Sequence, residues 1–489
     1  MSLRIFAAIL SLLLLPEVCR MDAYPCPAGS ERGSREKEIL DSALSKIGSG
    51  EISSGLVLID SLLKHSSQNS YALYLKGECF ILSGRREALA IIDSLRKLNM
   101  DEYADVLDLK TYLFLGDSCF RGKLEEMKKK YPANFEVKLS EWLFRLDNGE
   151  HKWAREHLDE ISGSVIFRFL PYQAFYLTVL SADYNQAKAV AETAMDKKLF
   201  RMGKTYRLQE ALHSLPEAVC DIYEEELKYA ECGPYFGIEM EDSSGVKLKV
   251  SLDTGTGGGF FSIHNRLLGE KISGRKPVCL KDGIQYRYMN SARDAFIKAG
   301  NFKEPSIENI PILYFEGSLT SSDGVFSPFA FKSLSISVDP VNRKVTLRSK
   351  AALKEYLSNL KNHHEEIKYV ERFGWVFIPA KLQGREVLMM VETGSRDVNF
   401  NSLAVERYGI PVLKSTSMWN GREYPVKRPE VCIQIGSITY KPEDGFVEDF
   451  VMGNNMYGLA ASGDIGPAFL KNYKFTIDPF EKRLILEKQ

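Results

Sequence analysis

The feature that most constrains the fold of this chain is an internal repeat in its C-terminal half. The sequence LDTG at 252–255 is matched by VETG at 391–394, an offset of 394 − 255 = 139. The same offset aligns FKSLSISVDP at 331–340 with LKNYKFTIDP at 470–479 without a gap. A register kept over that distance indicates one structural unit made twice. We therefore expect two copies of one fold within a single chain.

Short segments of alternating apolar and polar residues fill both copies. Gly, Asp-Gly and Asn-Gly separate these segments, a pattern typical of strands joined by hairpins. The pattern predicts two all-β lobes, at 233–350 and 372–489. The charged segment between them, AALKEYLSNLKNHHEEIKYVE at 351–371, is predicted to form one helical linker.

The region from 37 to 232 instead shows the periodicity of helices. Ala187 follows Ala154 by 187 − 154 = 33 positions, and Ala154 follows Ala88 by twice that spacing. Small residues at such points let paired helices approach closely, and the region loosely resembles the tetratricopeptide family. The residues that carry this resemblance are Tyr71, Gly77, Phe80, Gly84 and Trp142. The predicted fold is thus multi-domain α + β, a helical-repeat solenoid followed by two tandem β lobes; ordinary helix packing is the alternative to the solenoid.

The N-terminus carries a targeting pattern. Arg4 followed by an apolar run over Ile5–Pro16 predicts a secretory signal at 1–23, and the Gly/Pro/Ser-rich residues 24–36 predict a linker. Cys19 is an alternative lipidation site and would provide the chain's one membrane attachment. We expect an exported protein that is periplasmic, secreted or lipid-anchored, with a cytoplasmic protein as the alternative.

Composition and motif searches exclude several function classes. Lys and Arg total 64 and Asp and Glu total 65, a formal net charge of −1. Nucleic-acid binding relies on excess cations, so we predict no nucleic-acid partner. The sequence holds no CxxC pair, P-loop or HExxH motif, and the cluster at 363–366 fits a solvated helix face or linker, so we predict no metal and no cofactor. Cys220 and Cys232 can form a disulfide in an oxidising compartment.

Both lobes resemble the retropepsin-like aspartic protease family. An apolar strand ends in Asp253-Thr254-Gly255, or in Glu392-Thr393-Gly394, and each lobe closes with an apolar segment, best kept as IGPAFL at 465–470. The resemblance implies that two such turns meet in a pseudo-dimer. It also implies that Asp253 and Glu392 are the catalytic carboxyls, which share one proton while activating a water. Thr254, Thr393, Gly255 and Gly394 would support the turns, because the threonines can hydrogen-bond across the lobes and the glycines admit close backbone approach.

Two hairpins are candidates for flaps that close over a bound peptide. Asp282-Gly283 lies at the tip of one and Asn420-Gly421 at the tip of the other. In the family such hairpins pair with the backbone of an extended substrate, which implies a peptide or protein partner. Ordinary surface hairpins are the alternative.

The second turn departs from the family pattern because it carries Glu392 in place of Asp, and the first lobe has Ser327 where the closing motif expects Gly. Three outcomes remain open: an adapted Asp253/Glu392 pair, a degenerate lobe in a binding protein, or an active pair built from two copies of the first lobe. The sequence thus favours an aspartic endopeptidase whose helical repeats bind a partner or substrate. A catalytically degenerate peptide-binding or assembly protein is the alternative.

Overall fold

A computed structural model describes residues 31–48, 52–148 and 219–489, with isolated residues at 150, 153, 156, 157 and 160 and with gaps at 243–244, 256–260, 264–277, 282–293, 305–306, 316–321, 332, 361–363, 373–374, 396, 420–421, 444 and 449–460. The predicted signal at 1–23, including Cys19, lies outside these residues. By their packing they form two compact units. The helical unit contains the N-terminal residues and Ser402–Arg407, and the β unit contains the other described residues from 219 onward.

The described residues up to 148 form helices, which confirms the prediction of a helical N-terminal region. The bounds are Glu31–Gly48 (α1), Ile52–His65 (α2), Ser70–Leu82 (α3), Glu87–Lys97 (α4), Asp101–Leu115 (α5), Phe120–Lys130 (α6) and Phe135–Asp147 (α7). The starts of α3, α5 and α7 are separated by 31 and 34 positions, and those of α2, α4 and α6 by 35 and 33 positions. Helical hairpins therefore recur with a spacing close to that of the small residues in the sequence.

Two glycines permit close packing between these helices. A Cβ at Gly77 of α3 would lie 2.4 Å from a methyl group of Leu107 on α5 and 3.2 Å from one of Ile91 on α4. Gly84 lies between α3 and α4 with a φ of 65°, a left-handed conformation that ends the helix. Glycine at these positions thus serves the close approach of neighbouring helices.

A buried ionic cluster links α3, α5 and α7. The ammonium group of Lys110 lies 2.8 Å from a carboxylate oxygen of Glu136 and also contacts Glu78. The hydroxyl of Tyr74 donates to Glu78 at 2.5 Å. Burial raises the pKa of Glu78, and the charge of Lys110 opposes that rise. We refer to Lys110, Glu78, Glu136 and Tyr74 as the Lys110 cluster.

The first lobe of the β unit contains the strands Val219–Cys220 (β1), Glu224–Cys232 (β2), Tyr235–Asp242 (β3), Lys247–Leu252 (β4), Phe261–Ile263 (β5), Val278–Lys281 (β6), Asp294–Glu304 (β7), Ile307–Phe315 (β8), Gly324–Phe326 (β9), Ser335–Asp339 (β10) and Lys344–Arg348 (β11). A 3₁₀ helix covers Pro328–Phe331, and helix α8 covers Lys350–Ser358 after the last strand.

The second lobe contains the strands His364–Lys368 (β12), Val370–Arg372 (β13), Trp375–Leu382 (β14), Arg385–Val391 (β15), Val398–Phe400 (β16), Val412–Trp419 (β17), Arg422–Pro429 (β18), Ile433–Ile435 (β19), Ile438–Tyr440 (β20), Phe446–Val447 (β21), Gly463–Ile465 (β22), Tyr473–Asp478 (β23) and Arg483–Lys488 (β24). Two short helices, Ser402–Tyr408 (α9) and Pro467–Leu470 (α10), lie between these strands in sequence.

The described strands form two sheets and a separate hairpin. The larger sheet runs β12-β24-β23-β10-β11-β2-β3-β4-β9-β5-β8-β7-β6, with β1 paired to β8. The smaller sheet runs β20-β19-β14-β15-β22-β16-β21, with β13 paired to β14, and β17 pairs only with β18. The larger sheet therefore contains final strands from both lobes.

Equivalent strands of the two lobes pair in the same register. In the parallel pair β4–β9, Val250 lies opposite Gly324, and in β15–β22, Met389 lies opposite Gly463. Each position of the second pair follows its counterpart in the first by the offset of the sequence repeat. The antiparallel pairs β10–β11 and β23–β24 agree in the same way. The repeat found in the sequence is thus also a repeat of strand pairing.

The penultimate strands of the two copies meet within the larger sheet. Strand β10 pairs with β23 in an antiparallel manner, centred on Ser337 opposite Thr476. These two residues are 139 positions apart, and their hydroxyl oxygens lie 2.7 Å apart. Because equivalent residues face each other, a local approximate twofold axis passes through this pair and relates β10 to β23.

The boundary between the helical and β regions lies earlier than predicted. The sequence analysis assigns all of 37–232 to helices, but β1 and β2 already lie within that range. The segment EEELKYAEC of β2 is rich in residues that favour helices. Its pairing with β3 on one side and β11 on the other overrides this preference.

Two further predicted segments differ from the structure. Helix α1 begins at Glu31, inside the segment 24–36 predicted as a linker. The helix predicted over 351–371 ends at Ser358, and strands β12 and β13 occupy much of the remainder. Strand β12 forms because it pairs with β24 along its whole length, so a neighbouring strand decides the conformation of a charged segment.

Among the described helices, none combines the length and the apolar character needed to cross a bilayer. Cys220 and Cys232 are separate free thiols, so the disulfide considered from their spacing is not formed. Burial raises the pKa of each of these thiols to about 11.

Candidate active site

Each acidic turn follows the buried end of a central strand. The last residues of β4 and β15 are 2% and 0% exposed. The amide of Asp253 then donates to the carbonyl of Phe326, and the amide of Glu392 donates to that of Ile465, both at 2.9 Å. The two carbonyls end the parallel partner strands β9 and β22. The same pair of strands therefore fixes the acidic residue in each lobe.

Two threonines bind the turns to each other. The amide of Thr254 donates to Thr393 Oγ1, and the amide of Thr393 donates to Thr254 Oγ1, both at 3.0 Å. Thr393 Oγ1 donates in turn to the carbonyl of Leu252 at 2.8 Å, and Thr254 Oγ1 donates to that of Val391. Both threonines are fully buried. These are the hydrogen bonds across the lobes that the sequence analysis expects of the two threonines.

The two carboxyl groups are held in the same way within their turns. Asp253 Oδ1 accepts from the amide of Gly255, and Glu392 Oε1 accepts from the amide of Gly394, both at 2.8 Å. The extra methylene of Glu392 therefore does not disrupt the local hydrogen bond of its turn. Both acidic residues are half-buried, so each remains accessible from one side.

The additional length of Glu392 is taken up on the opposite turn. A Cβ at Gly255 would lie only 1.6 Å from Glu392 Oε2. A Cβ at Gly394 would lie 2.9 Å from Glu392 Oε1 and 3.0 Å from Asp253 Oδ1. The carboxyl of Glu392 thus occupies the space above Gly255, and this glycine is needed because any side chain there would overlap it.

The surroundings of Glu392 raise its pKa. Burial raises the pKa of Glu392 well above its ordinary range, and the negative charge of Asp253 raises it further. A smaller contribution comes from Asp464. Oxygens of both carboxyl groups lie close to the same Cβ position of Gly394, Glu392 Oε1 at 2.9 Å and Asp253 Oδ1 at 3.0 Å. Two carboxyl groups can bond to each other only through a proton, so the arrangement fits one proton shared by the pair.

Trp375 is a part of the site that the sequence analysis did not predict. Its indole Nε1 donates to the carbonyl of Gly255 at 2.9 Å, so a side chain of the second lobe holds the turn of the first. The equivalent residue of the first lobe is Phe236, which cannot donate and instead packs edge-on against Phe475 with ring centroids 5.1 Å apart. Aligning the two copies places a tryptophan opposite a phenylalanine, and this difference could have identified Trp375 from the sequence.

Asp464 is a second residue that the sequence analysis missed. It lies in β22, is 2% exposed, and accepts from Asn399 Nδ2 at 3.1 and 3.3 Å and from Ser395 Oγ at 3.2 Å. Val325 occupies the equivalent position of the first lobe. A carboxyl in place of a valine within a buried strand is the signal that could have identified it.

Ser327, which departs from the closing motif, fits its position. The hydroxyl of Ser327 accepts from the amide of Phe329 at 3.3 Å at the start of the 3₁₀ helix. Its counterpart Gly466 has a φ of −100°, which any residue can adopt. The backbone at this place does not require glycine, so the serine is no sign of a damaged lobe.

The candidate flap tips Asp282, Gly283, Asn420 and Gly421 lie outside the described residues. The strands beside Asn420-Gly421 are described, and Trp419 of β17 pairs with Arg422 of β18. These two strands pair over eight residues each and join across two residues, as expected for a hairpin. In the first lobe, β6 pairs with β7 from Lys281 opposite Asp294, so a longer connection separates those strands.

No cluster of three or more His, Cys, Asp or Glu side chains suited to a metal is found within the described part of the chain. His364 and Glu366, from the cluster at 363–366, lie in β12, where the carboxylate of Glu366 pairs with Arg483 at 2.6 Å.

Comparison with known proteins leaves the family open: no protein-family model matches the chain, and no curated protein matches it.

Proposed function

We propose that this chain is an aspartic endopeptidase of the retropepsin-like class, in which Asp253 and Glu392 activate a water molecule. The observation that carries the proposal is that carboxyl oxygens from two equivalent turns converge on one place, 2.9 Å (Glu392) and 3.0 Å (Asp253) from the Cβ position of Gly394. The crossed threonine hydrogen bonds hold those turns together. Like charges placed so closely share a proton, and such a pair contains both a base and an acid.

The raised pKa of Glu392 assigns the two roles. Asp253, ionised, accepts a proton from the water, whose oxygen attacks the carbonyl carbon of the scissile peptide bond. Glu392 donates its proton to the carbonyl oxygen, which gives a tetrahedral diol. The C–N bond then breaks as the amine takes the proton from Asp253, and a diol hydroxyl returns a proton to Glu392. The products are an acid and an amine, and the pair again carries one proton.

The geometry of the turns supports a working role for glutamate. Its Oε1 keeps the amide contact that Asp253 makes in the other lobe, while its Oε2 extends over Gly255. The longer side chain thus reaches its partner without displacing the turn. This supports the adapted pair over the two alternatives left open by the sequence.

The substrate fits an extended peptide. The β17–β18 hairpin pairs with no other strand among the described residues and is suited to form hydrogen bonds with a peptide backbone. The helical hairpins of α2–α7, which recur at nearly constant spacing, support a tetratricopeptide-like role in binding a partner or substrate protein.

The direct test is hydrolysis of denatured casein and of a peptide library between pH 3 and 7, with and without pepstatin. We expect pepstatin-sensitive cleavage that is lost in Asp253→Asn and in Glu392→Gln. Asp339→Asn is the matched control, because this 9% exposed aspartate accepts hydrogen bonds from Asn342 at the end of β10, apart from the two turns. Cleavage that persists in Asp253→Asn would refute the mechanism. Peptide binding without cleavage would indicate the degenerate binding protein instead.

A further inference from the structure

Asp464 is a third carboxyl group near the proposed pair, and only the second lobe has it. Its strand β22 lies between β15, which leads to Glu392, and β16. Opposite Asp464 on β16 is Asn399, which is 5% exposed. The equivalent pairing in the first lobe is Val325 opposite Ser262. The buried carboxyl and its amide partner are therefore a departure specific to the lobe that also carries the glutamate.

Ser395 connects Asp464 to the catalytic turn. Its amide donates to the carbonyl of Glu392 at 3.1 Å. Its hydroxyl lies 3.2 Å from Asp464 Oδ1 and 3.1 Å from the carbonyl oxygen of Asp397. One hydroxyl proton cannot fully serve two acceptors. If it serves Asp397, the contact with Asp464 is a good hydrogen bond only when Asp464 carries a proton and donates it.

A second atom of the network also lacks a donor. Asn399 Oδ1 is buried and has no hydrogen-bond partner among the described residues, while Asn399 Nδ2 contacts both oxygens of Asp464. Rotation of the amide by half a turn would present this oxygen to a protonated Asp464. The contacts of Asp464 with Ser395 and with Asn399 can thus each accommodate one more proton. The carboxyl of Asp464 is the group that would carry this proton.

Among the described residues, the charged groups identified beside Asp464 are acidic. Glu392 follows β15, Glu448 follows β21, and Asp397 precedes β16, where it accepts from the hydroxyl of Tyr440 at 2.8 Å. Arg396 adjoins Asp397 in sequence and lies outside the described residues. Burial raises the pKa of Asp464 to about 7, and the charge of Glu448 adds to this effect.

We propose that Asp464 is a positioning residue that keeps one proton on the Asp253–Glu392 pair as the pH approaches neutrality. Asp464 is buried and Glu392 is half-buried, and both are negative when ionised, so ionising one raises the cost of ionising the other. Below neutral pH Asp464 is protonated and holds Ser395 as a neutral donor. When it ionises, its charge opposes loss of the proton from Glu392. The catalytic consequence rests on the function proposed above, whereas the coupling between the two carboxyls does not.

The coupling is tested without any activity, by measuring stability from pH 4 to 9 for four proteins. These are wild type, Asp464→Asn, Glu392→Gln and the double variant. Each single substitution changes the free energy of unfolding in a pH-dependent way. We expect these two pH-dependent changes not to add in the double variant, because each substitution lowers the pKa of the remaining carboxyl. Additive pH profiles would overturn the proposal. Asn and Gln keep the shape of the side chains, and Asp339→Asn shows the effect of losing an uncoupled buried carboxyl.

Kinetics then tests the consequence. In Asp464→Asn we expect kcat/KM at pH 5 to stay within about twofold of wild type, because Asp464 is already neutral there. Near pH 7 we expect a loss of about threefold or more, because the alkaline limb of the profile moves to lower pH. An equal loss at every pH would show a merely structural role and overturn the proposal. If no protein cleaves any substrate, the proposed function fails, and the stability cycle still decides whether the carboxyls are coupled.

Discussion

Replacing Thr254 by Val tests the attachment of the two turns to each other. The hydroxyl of Thr254 accepts from the amide of Thr393 and donates to the carbonyl of Val391, and all three residues are fully buried. Valine keeps the shape and leaves the amide of Thr393 without a partner, whereas the carbonyl of Val391 keeps its place opposite Val376 in the β14–β15 pair. A buried polar group left unpaired costs about 1–3 kcal/mol, so we expect a loss of about 1–3 kcal/mol. The expected loss is a sizeable part of the roughly 5–15 kcal/mol that stabilises a typical domain.

The measurement is urea unfolding followed by hydrogen-exchange mass spectrometry, which reports on peptides of the β unit separately from those of the helical unit. Thr254→Ser retains the hydroxyl and should recover most of the loss. Thr111→Val is the matched control, since Thr111 is also fully buried but its hydroxyl donates to the carbonyl of Leu107 within a helix, at 3.0 Å. We expect this control to cost about 1 kcal/mol or less, because that carbonyl has a helical amide as donor. A loss in Thr254→Val no larger than in the control would refute the reasoning.

Three further changes test the site and the helical unit. Gly255→Ala should lower kcat/KM for casein by about 100-fold or more, because a Cβ at Gly255 would overlap Glu392. Gly394→Ala should lower kcat/KM by less, and equal losses in the two variants would contradict this asymmetry. Glu392→Asp should keep kcat/KM within about tenfold of wild type and Glu392→Gln should abolish it, since only the former retains a carboxyl; inactivity of both would contradict the acid role. Lys110→Met should cost the helical unit about 3–5 kcal/mol at neutral pH, measured by circular dichroism during thermal unfolding, because two buried glutamates lose their cation. The loss should shrink toward pH 4 as Glu78, whose pKa is raised by burial, takes up a proton, and a loss independent of pH would contradict that reasoning.

The repeat made a large part of the β unit predictable. The offset between the two copies in the sequence is also the offset between the registers of β4–β9 and β15–β22. The crossed hydrogen bonds of Thr254 and Thr393 join residues separated by the same offset. This transfer succeeds because side chains alternate between the two faces of a strand, so a duplicated unit can keep its buried face only by keeping its register.

The errors arose where distant partners decide the conformation. Strand β2 looks helical when considered alone, and only its pairing with β3 and β11 makes it a strand. Asp464 escaped prediction for a related reason. A search for motifs gives weight to residues that the two copies share, whereas Asp464 is visible only as a difference from Val325. Differences between copies, placed on a common register, would have revealed it.

The residues that differ between the two copies make the candidate site asymmetric. Glu392, Trp375 and Asp464 all belong to the second lobe, and their counterparts in the first lobe are an aspartate, a phenylalanine and a valine. Two identical turns related by a twofold axis would have no reason to place a shared proton on one side. Here Trp375 donates a hydrogen bond to the carbonyl of Gly255 in the turn of the first lobe, and the side chain of Glu392 extends over the same glycine. Burial and the charges of Asp253 and Asp464 favour a proton on Glu392. The duplicated scaffold thus supplies two equivalent positions, and in the proposed mechanism substitutions in one copy would distinguish the acid from the base.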